Sequence, residues 1–111
     1  MKKPVLNDDE LEAAIESIPS HPNTGQPWAV VNGKLHKEFV FGNFIEAFGF
    51  MTQSALEAEK MDHHPEWSNV YRTVVVDLVT HYSDGITELD IELACRMEKL
   101  GRFIDQRATN Q

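Results

Sequence analysis

The chain has 111 residues, enough for one domain with its own core but too few for two. Eighteen acidic residues against ten basic ones give a net charge of −8, which argues against direct binding to nucleic acid because phosphate contacts need clustered lysine and arginine. The chain has no apolar run long enough to cross a membrane, and its single cysteine, Cys95, excludes an internal disulfide, so we expect a cytoplasmic protein with no membrane partner.

A helix is the first predicted element, and it begins after Asn7. Asn7 is a good helix cap, and Glu10 stands three residues later, as a capping box requires. Pro19 closes the segment, and the proline-rich and glycine-containing stretch 19–27 is predicted to be a loop. The apolar stripe of this helix consists of Leu11, Ala14, Ile15 and Ile18.

A β-hairpin is predicted next, with strands over 28–31 and 34–41. Asn32 and Gly33 separate the two strands, and Asn-Gly is the strongest short hairpin signal because both turn positions need a positive φ. On the second strand Leu35, Phe39 and Phe41 share one face.

The second helix is predicted to begin after Asn43, with Glu46 completing another capping box. It has to end near His63, because Pro65 pushes the residue before it out of the helical region. Helical spacing predicts that its buried face consists of Phe44, Phe48, Met51, Ala55 and Ala58.

Residues 66–81 are rich in strand-forming residues. They form either one long strand or a short strand near Trp67 followed by a turn at Asn69, and periodicity does not decide between these. Alternation places Val74, Val76 and Leu78 on one face. A final helix is predicted after Thr87 with Asp90 at the third helical position, and residues 106–111 are expected to fray.

The order α-β-β-α-β-β-α predicts an α+β fold in which three helices cover one face of a four-stranded antiparallel sheet, all in one domain over 1–111. The other face of that sheet would stay uncovered. Since a large apolar patch is unusual on a monomer, we expect a homo-oligomer, a dimer first and a tetramer second. The candidates for the uncovered face are Trp28, Val30, Val75 and Val79.

Three histidines lie where predicted elements end: His63 and His64 at the junction after the second helix, and His81 at the end of the last strand. Histidine both gives and takes protons near neutrality, so two of them across one cleft form an acid–base pair. Acids near them in sequence are Glu59, Asp62, Glu66 and Asp90. The alternatives are ordinary: Asp90 only caps a helix, Glu59 is a solvated helix residue, and the adjacent histidines are polar turn residues. A zinc site is disfavoured because the chain has no Cys-x-x-Cys motif.

Two segments, "EAEKMDHHPEWSNVY" at 57–71 and "THYSDGITELDIELA" at 80–94, are specific as a set. Together with "NFIEAFGFMTQSALEAE" at 43–59 they resemble the pterin-4a-carbinolamine dehydratases, also known as dimerization cofactors of a homeodomain transcription factor. The resemblance extends from about Phe39 to Leu100, and the first 38 residues match less clearly. Pro27-Trp28 stands where the family often has Gly-Trp, and the Ser83–Gly85 loop also departs from the usual pattern.

The resemblance implies a four-stranded antiparallel sheet backed by three helices, and an activity: loss of water from 4a-hydroxytetrahydropterin to give quinonoid dihydropterin, in support of tetrahydropterin recycling. It carries the family's three catalytic histidines over to His63, His64 and His81. It carries a nearby carboxylate over to Glu59 and the acid of the final helix over to Asp90. Flanking residues expected to help bind the substrate are Asp62, Trp67 and Thr80.

Dehydration of a carbinolamine involves no redox step, so we expect no cofactor and no metal. The predicted partners are the pterin and other copies of this chain. A different class of function stays open, that of a protein-binding module acting as a transcriptional cofactor or beside the aromatic amino acid hydroxylase pathway. A relative that serves another pterin, such as a molybdopterin-linked accessory protein, is a further alternative.

Overall fold

The computed structural model describes residues 3–105, so the predicted frayed tail at 106–111 lies outside the described residues. In that range the elements are α1 Asp8–Ser17, β1 Ala29–Val31, β2 Lys34–Val40, α2 Phe44–Met61, β3 Glu66–Val70, β4 Thr73–Leu78 and α3 Glu88–Ile104. Short 3₁₀ turns occur at Pro22–Thr24 and His81–Ser83. This order confirms the predicted α+β arrangement. None of the described helices is both long and apolar enough to cross a membrane.

The helix starts agree with the predicted caps. Asn7 and Thr87 each form a complete capping box, with Glu10 and Asp90 as the returning acids. Asn43 caps α2 by accepting the backbone N–H of Glu46 at 2.8 Å. The Glu46 carboxylate accepts the N–H of Gly42 at 2.8 Å, one residue earlier than a capping box requires.

The sheet has the strand order β1-β2-β4-β3, and every neighbouring pair is antiparallel. The β1–β2 turn is formed by Asn32 and Gly33, whose φ angles of 53° and 76° confirm the hairpin. The second hairpin confirms the two-strand alternative, but its turn begins at Tyr71 (φ 51°), two residues after the predicted position. Asn69 stabilises this turn, because its side-chain amide donates to the carbonyls of Tyr71 and Thr73.

The core lies between one face of the sheet and the helices. Its fully buried sheet residues include the predicted Leu35, Phe39, Val74, Val76 and Leu78. Two residues expected on the uncovered face are not there. Trp28 is buried, with its indole N–H donating to Glu98 at 2.8 Å, and Val30 lies opposite Leu35, on the helix-facing side.

The predicted buried face of α2 was wrong in most of its residues. Phe44 and Phe48 are about half exposed, and Ala55 is exposed. Only Ala58 of the predicted set is buried, while Met51 is partly buried. The residues that α2 buries are Glu46, Ala47, Phe50, Ser54 and Ala58.

A buried ion pair links β2 to α3, and it was not predicted from the sequence. Lys37 shares the inner face of β2 with the core residues, and its Nζ lies 2.5 Å from Oε2 of Glu98. The same ammonium group is 4.6 Å from the ring centroid of Phe39, and Glu98 also accepts the Trp28 N–H. Each charge is therefore partnered, as a buried charge must be.

Candidate active site

The end of α2 presents the two adjacent histidines. Asp62 adopts a left-handed conformation with φ 52°, and its N–H bonds to the carbonyl of Glu59 at 3.1 Å. The N–H of His63 bonds to the carbonyl of Ala58 at 3.1 Å. These two bonds are a Schellman motif, so the helix ends at Met61, just before the histidines, as predicted.

His63 is buried, and a fully buried carboxylate holds its imidazole. Its Nε2 lies 2.5 Å from Oδ1 of Asp90. The other Asp90 oxygen accepts the hydroxyl of Thr80 and the backbone N–H of Thr87, both at 2.9 Å. Asp90 is therefore both the capping acid of α3 and the partner of His63, so the alternative in which it only caps the helix was wrong.

The Asp90 contact determines what a neutral His63 offers. An ionised carboxylate only accepts hydrogen bonds, so the neutral imidazole donates Nε2–H to it. Nδ1 is then the nitrogen with a free lone pair, and the ring can accept a proton there.

His64 lies on the surface and pairs with the acid predicted to stand near it. Its Nε2 is 2.8 Å from Oε1 of Glu59, and the two side chains are 58% and 80% exposed. Glu59 thus contacts His64 and not the buried His63. An ion pair this exposed contributes little to stability.

His81 begins the 3₁₀ turn after β4, and its side chain is 76% exposed. Its Nε2 lies 2.9 Å from Oε2 of Glu66, at the start of β3. The other oxygen of Glu66 accepts Nζ of Lys34 at 2.5 Å. This hydrogen bond is the main cause that lowers the pKa of Glu66, against partial burial, and it raises the pKa of Lys34.

Sequence reasoning missed Lys34, because it lies 32 positions from Glu66 in the chain. The two residues stand on strands β2 and β3, which both flank β4. One signal could have placed Lys34 on the correct face of the sheet. Side chains alternate along β2, so Lys34 lies on the side opposite to the buried Leu35.

The fold brings the segments that carry the predicted residues together. Asp90 joins His63 to Thr80, the neighbour of His81, while Glu66 joins His81 to the segment after His64. The remaining predicted residues lie around this junction. Asp62 is exposed, Thr80 is fully buried, and Trp67 is partly buried opposite Val76 on the helix-facing side of β3.

Three other kinds of site were considered among the described residues: a surface groove, a metal site and a reactive cysteine. A surface groove of about 460 Å³ lies between the 25–27 loop and β2, and His36 is the histidine that lines it. Within residues 3–105, no group of three His, Cys, Asp or Glu side chains is arranged to hold a metal ion. Burial, with smaller contributions from Glu98 and Glu92, raises the pKa of the Cys95 thiol, which disfavours a nucleophilic thiolate.

Comparison with known proteins identifies the family. The family model described as Pterin 4 alpha carbinolamine dehydratase matches residues 4–100, a range that contains every predicted site residue. Proteins named pterin-4-alpha-carbinolamine dehydratase from Chelativorans sp. (strain BNC1) and Bradyrhizobium diazoefficiens are 61% and 58% identical. Those alignments cover 87% and 88% of this chain, and 94% and 93% of the relatives.

A solved structure gives the same result. The crystal structure described as transcriptional coactivator/pterin dehydratase from Brucella melitensis matches with a TM-score of 0.78 and 41% identity, over 87% of this chain and 98% of that one. The family match begins at residue 4, so it also includes the N-terminal part, where the resemblance in sequence was less clear. The chain therefore belongs to the pterin 4 alpha carbinolamine dehydratase family.

Proposed function

We propose that this protein removes water from 4a-hydroxytetrahydropterin to give quinonoid dihydropterin, and that its histidines supply the acid and the base. Membership of a dehydratase family supports a hydro-lyase that acts on a pterin. The observation that carries the histidine assignment is the buried His63–Asp90 pair beside the segment that ends in His81.

The reaction needs two proton transfers. The hydroxyl group accepts a proton as its C–O bond breaks, and it leaves as water. The neighbouring N–H loses its proton, and the electron pair released forms the C=N bond. No electrons are gained or lost overall, and each well-placed acid or base accelerates such a step by roughly 10²–10⁴-fold.

We assign these transfers to His63 and His81, and we assign orientation of the pterin to His64. Asp90 and Thr80 have no exposed surface, so in this scheme neither contacts the substrate: Asp90 holds His63, and Thr80 holds Asp90. Glu59 orients His64. The predicted substrate contacts from Asp62 and Trp67 complete the scheme.

Kinetics of single and double histidine variants test the assignment. We expect His63→Ala and His81→Ala each to lower kcat by about 10²-fold or more while circular dichroism shows an intact fold. His36→Ala is the matched control, because His36 also pairs with a carboxylate, that of Asp77, but lies outside the scheme. A His63→Ala/His81→Ala protein that works at the wild-type rate above the spontaneous background would overturn the assignment.

The metabolic role that we propose is recycling of tetrahydropterin in the cytoplasm, beside an aromatic amino acid hydroxylase. Complementation of a growth defect that depends on such a hydroxylase tests this role. Failure to complement, with dehydratase activity intact in vitro, would favour a related pterin such as a molybdopterin precursor.

A second candidate function is that of a protein-binding transcriptional cofactor. The observation that favours it is the description of the Brucella melitensis structure, which names a coactivator and a dehydratase together. A pull-down and a dehydratase assay on the same preparation separate the two functions. Capture of a defined transcription factor by a protein without dehydratase activity would favour the second.

We also propose that the chain forms a homo-oligomer, a dimer or a tetramer. Four of the exposed large apolar side chains lie on α2, and a large exposed apolar surface is unusual on a soluble monomer. This group, which we call the α2 apolar surface, consists of Phe44, Ile45, Phe48 and Leu56. Light scattering during size exclusion tests the proposal, and a mass near the 12.6 kDa of one chain at every concentration would contradict it.

A further inference from the structure

We infer that Glu66 and Lys34 are positioning residues, which hold the imidazole of His81 for proton transfer through its Nδ1 atom. The inference rests on the proposed function, since it assigns a device to one of the two proposed acid–base residues. The contacts among Lys34, Glu66 and His81 lie on the face of the sheet that the helices do not cover. They are separate from the buried contact between Asp90 and His63.

The backbone that carries His81 is firmly held, but its ring is not packed. The preceding residue, Thr80, is fully buried, and its N–H bonds to the carbonyl of Gly85 at 2.9 Å. The His81 side chain is nevertheless 76% exposed. A side chain this exposed samples several rotamers unless a specific contact selects one, and the carboxylate of Glu66 at 2.9 Å is such a contact.

Glu66 is itself held by Lys34, which lies on β2, on the other side of β4. Its two oxygens are divided, with Oε1 bonded to Lys34 and Oε2 beside His81. The backbone of Glu66 lies opposite Asp77, so β4 separates it from Lys34 on β2. Because the Lys34 bond holds the pKa of Glu66 low, the carboxylate is ionised, and acts only as an acceptor, throughout the pH range in which histidine titrates.

The contact with Glu66 also defines which nitrogen of His81 is available. In this inference the ionised carboxylate takes the Nε2–H of the neutral ring across the 2.9 Å contact, which leaves the lone pair on Nδ1. The same relation holds for His63, whose Nε2 faces Asp90. Two carboxylates on different elements thus contact the same ring atom of the two proposed acid–base histidines, one pair buried and the other exposed to solvent.

Lys34 and Glu66 are partly exposed, with side chains 37% and 40% accessible, and an exposed ion pair contributes little to stability. Loss of the pair should therefore affect orientation more than folding. Since a small misplacement of a catalytic group is costly, we expect Glu66→Gln to lower kcat by about tenfold with little change in KM. Lys34→Met should also lower kcat. Lys34→Arg, which keeps a charged donor, should retain most of the wild-type kcat.

A double-mutant cycle decides whether Glu66 acts through His81. Glu66→Gln should lower kcat when His81 is present and should cause no further loss in the His81→Ala background, because residues that act as one unit are not additive. The control is Asp77→Asn, which removes the partner of His36 on the same sheet face and should leave kcat unchanged. An equal loss in both backgrounds would overturn the inference.

NMR distinguishes failure of this inference from failure of the proposed function. The imidazole signals of His81 should shift in Glu66→Gln and Lys34→Met and stay in place in Asp77→Asn, where those of His36 should move. If the His81 signals do not respond, the positioning role is wrong even in an active enzyme. If they respond and the wild-type protein has no dehydratase activity, the contact is correct, and the proposed function with its catalytic use of the contact is wrong.

Discussion

At the scale of single residues, the candidate site depends on positions that serve two purposes at once. Asp90 completes the cap of α3 and also holds His63, so a helix-capping acid is at the same time the buried partner of a histidine that we propose to be catalytic. Asp62 ends α2 in a left-handed conformation directly before the two histidines. A non-glycine residue in that conformation is strained, and such strain is concentrated at functional positions.

The conformation of Asp62 leads to a stability prediction. Asp62→Gly should raise the free energy of unfolding by about 0.5–1 kcal/mol, because glycine adopts a positive φ without a steric penalty. Asp62→Ala should lower it by about 1 kcal/mol. Asp62→Asn is the control and should differ little from wild type. Urea titration measures all three, and a loss of stability in Asp62→Gly would show that the aspartate side chain stabilises the turn.

Substitution in the buried Lys37–Glu98 pair should change the free energy of unfolding more than the Asp62 substitutions do. Lys37→Met leaves the Glu98 carboxylate buried without its cation, and we expect a loss of about 3–5 kcal/mol in unfolding free energy. Lys37→Met/Glu98→Gln should recover much of that loss, since the amide can still accept from Trp28. Denaturant unfolding of the single and double variants measures this recovery. Equal stability of the two would contradict the coupling.

At the scale of elements, the helices differ in how firmly the core holds them. Residues 8–17 of α1 include no fully buried side chain, and Leu11 and Ile15 pack against the core from its edge. Within α3, by contrast, Leu93, Ala94 and Met97 are fully buried. The caps differ in the same way, because Asn7 is exposed, whereas Thr87 is buried and its hydroxyl also contacts that of Thr80 at 2.8 Å.

Removal of the two caps should therefore have unequal effects. Asn7→Ala should cost about 0.5–1 kcal/mol of stability, and Thr87→Ala about 2 kcal/mol, because it also leaves a buried hydroxyl short of a partner. Thr87→Ser keeps the hydroxyl and serves as the control. Thermal unfolding followed by circular dichroism measures the ranking, and equal losses for the two alanine variants would contradict it.

At the scale of the whole molecule, self-association is predicted both from the sequence and from the structure, but from different surfaces. The sequence suggested the uncovered sheet face, where Trp28 and Val30 do not lie. That face carries instead the charged groups around Glu66 and Asp77. The α2 apolar surface is the better candidate for contact with another copy, since it exposes aromatic and aliphatic side chains together.

Substitution on α2 tests this choice of surface. Phe44→Ser/Phe48→Ser should lower the mass measured by light scattering toward that of one chain at micromolar concentration, because the contact loses two exposed rings. Phe103→Ser removes a ring from α3 that is even more exposed than those of Phe44 and Phe48, and it should leave the mass unchanged. An oligomer that persists in the double variant would assign the contact to another surface.

Signals between residues close in the sequence were sufficient to predict much of the secondary structure of this protein. Capping residues, the Asn32–Gly33 turn and strand alternation predicted the element order, the starts of α1 and α3 and the buried face of β4, because these features depend on neighbours in sequence. The adjacent histidines before Pro65 indicated the candidate site for the same reason. That all 111 residues form one domain stays a prediction.

Tertiary structure decided what local signals leave open. Residues 44–51 of α2 include Phe44, Ala47, Phe48, Phe50 and Met51, so helical spacing fits more than one stripe, and only packing against β4 and α3 selects the buried one. The partners of His63, His81 and Lys37 lie 27, 15 and 61 positions away in the chain. Such pairings depend on strand order and helix docking, and these are determined by burial of the core as a whole.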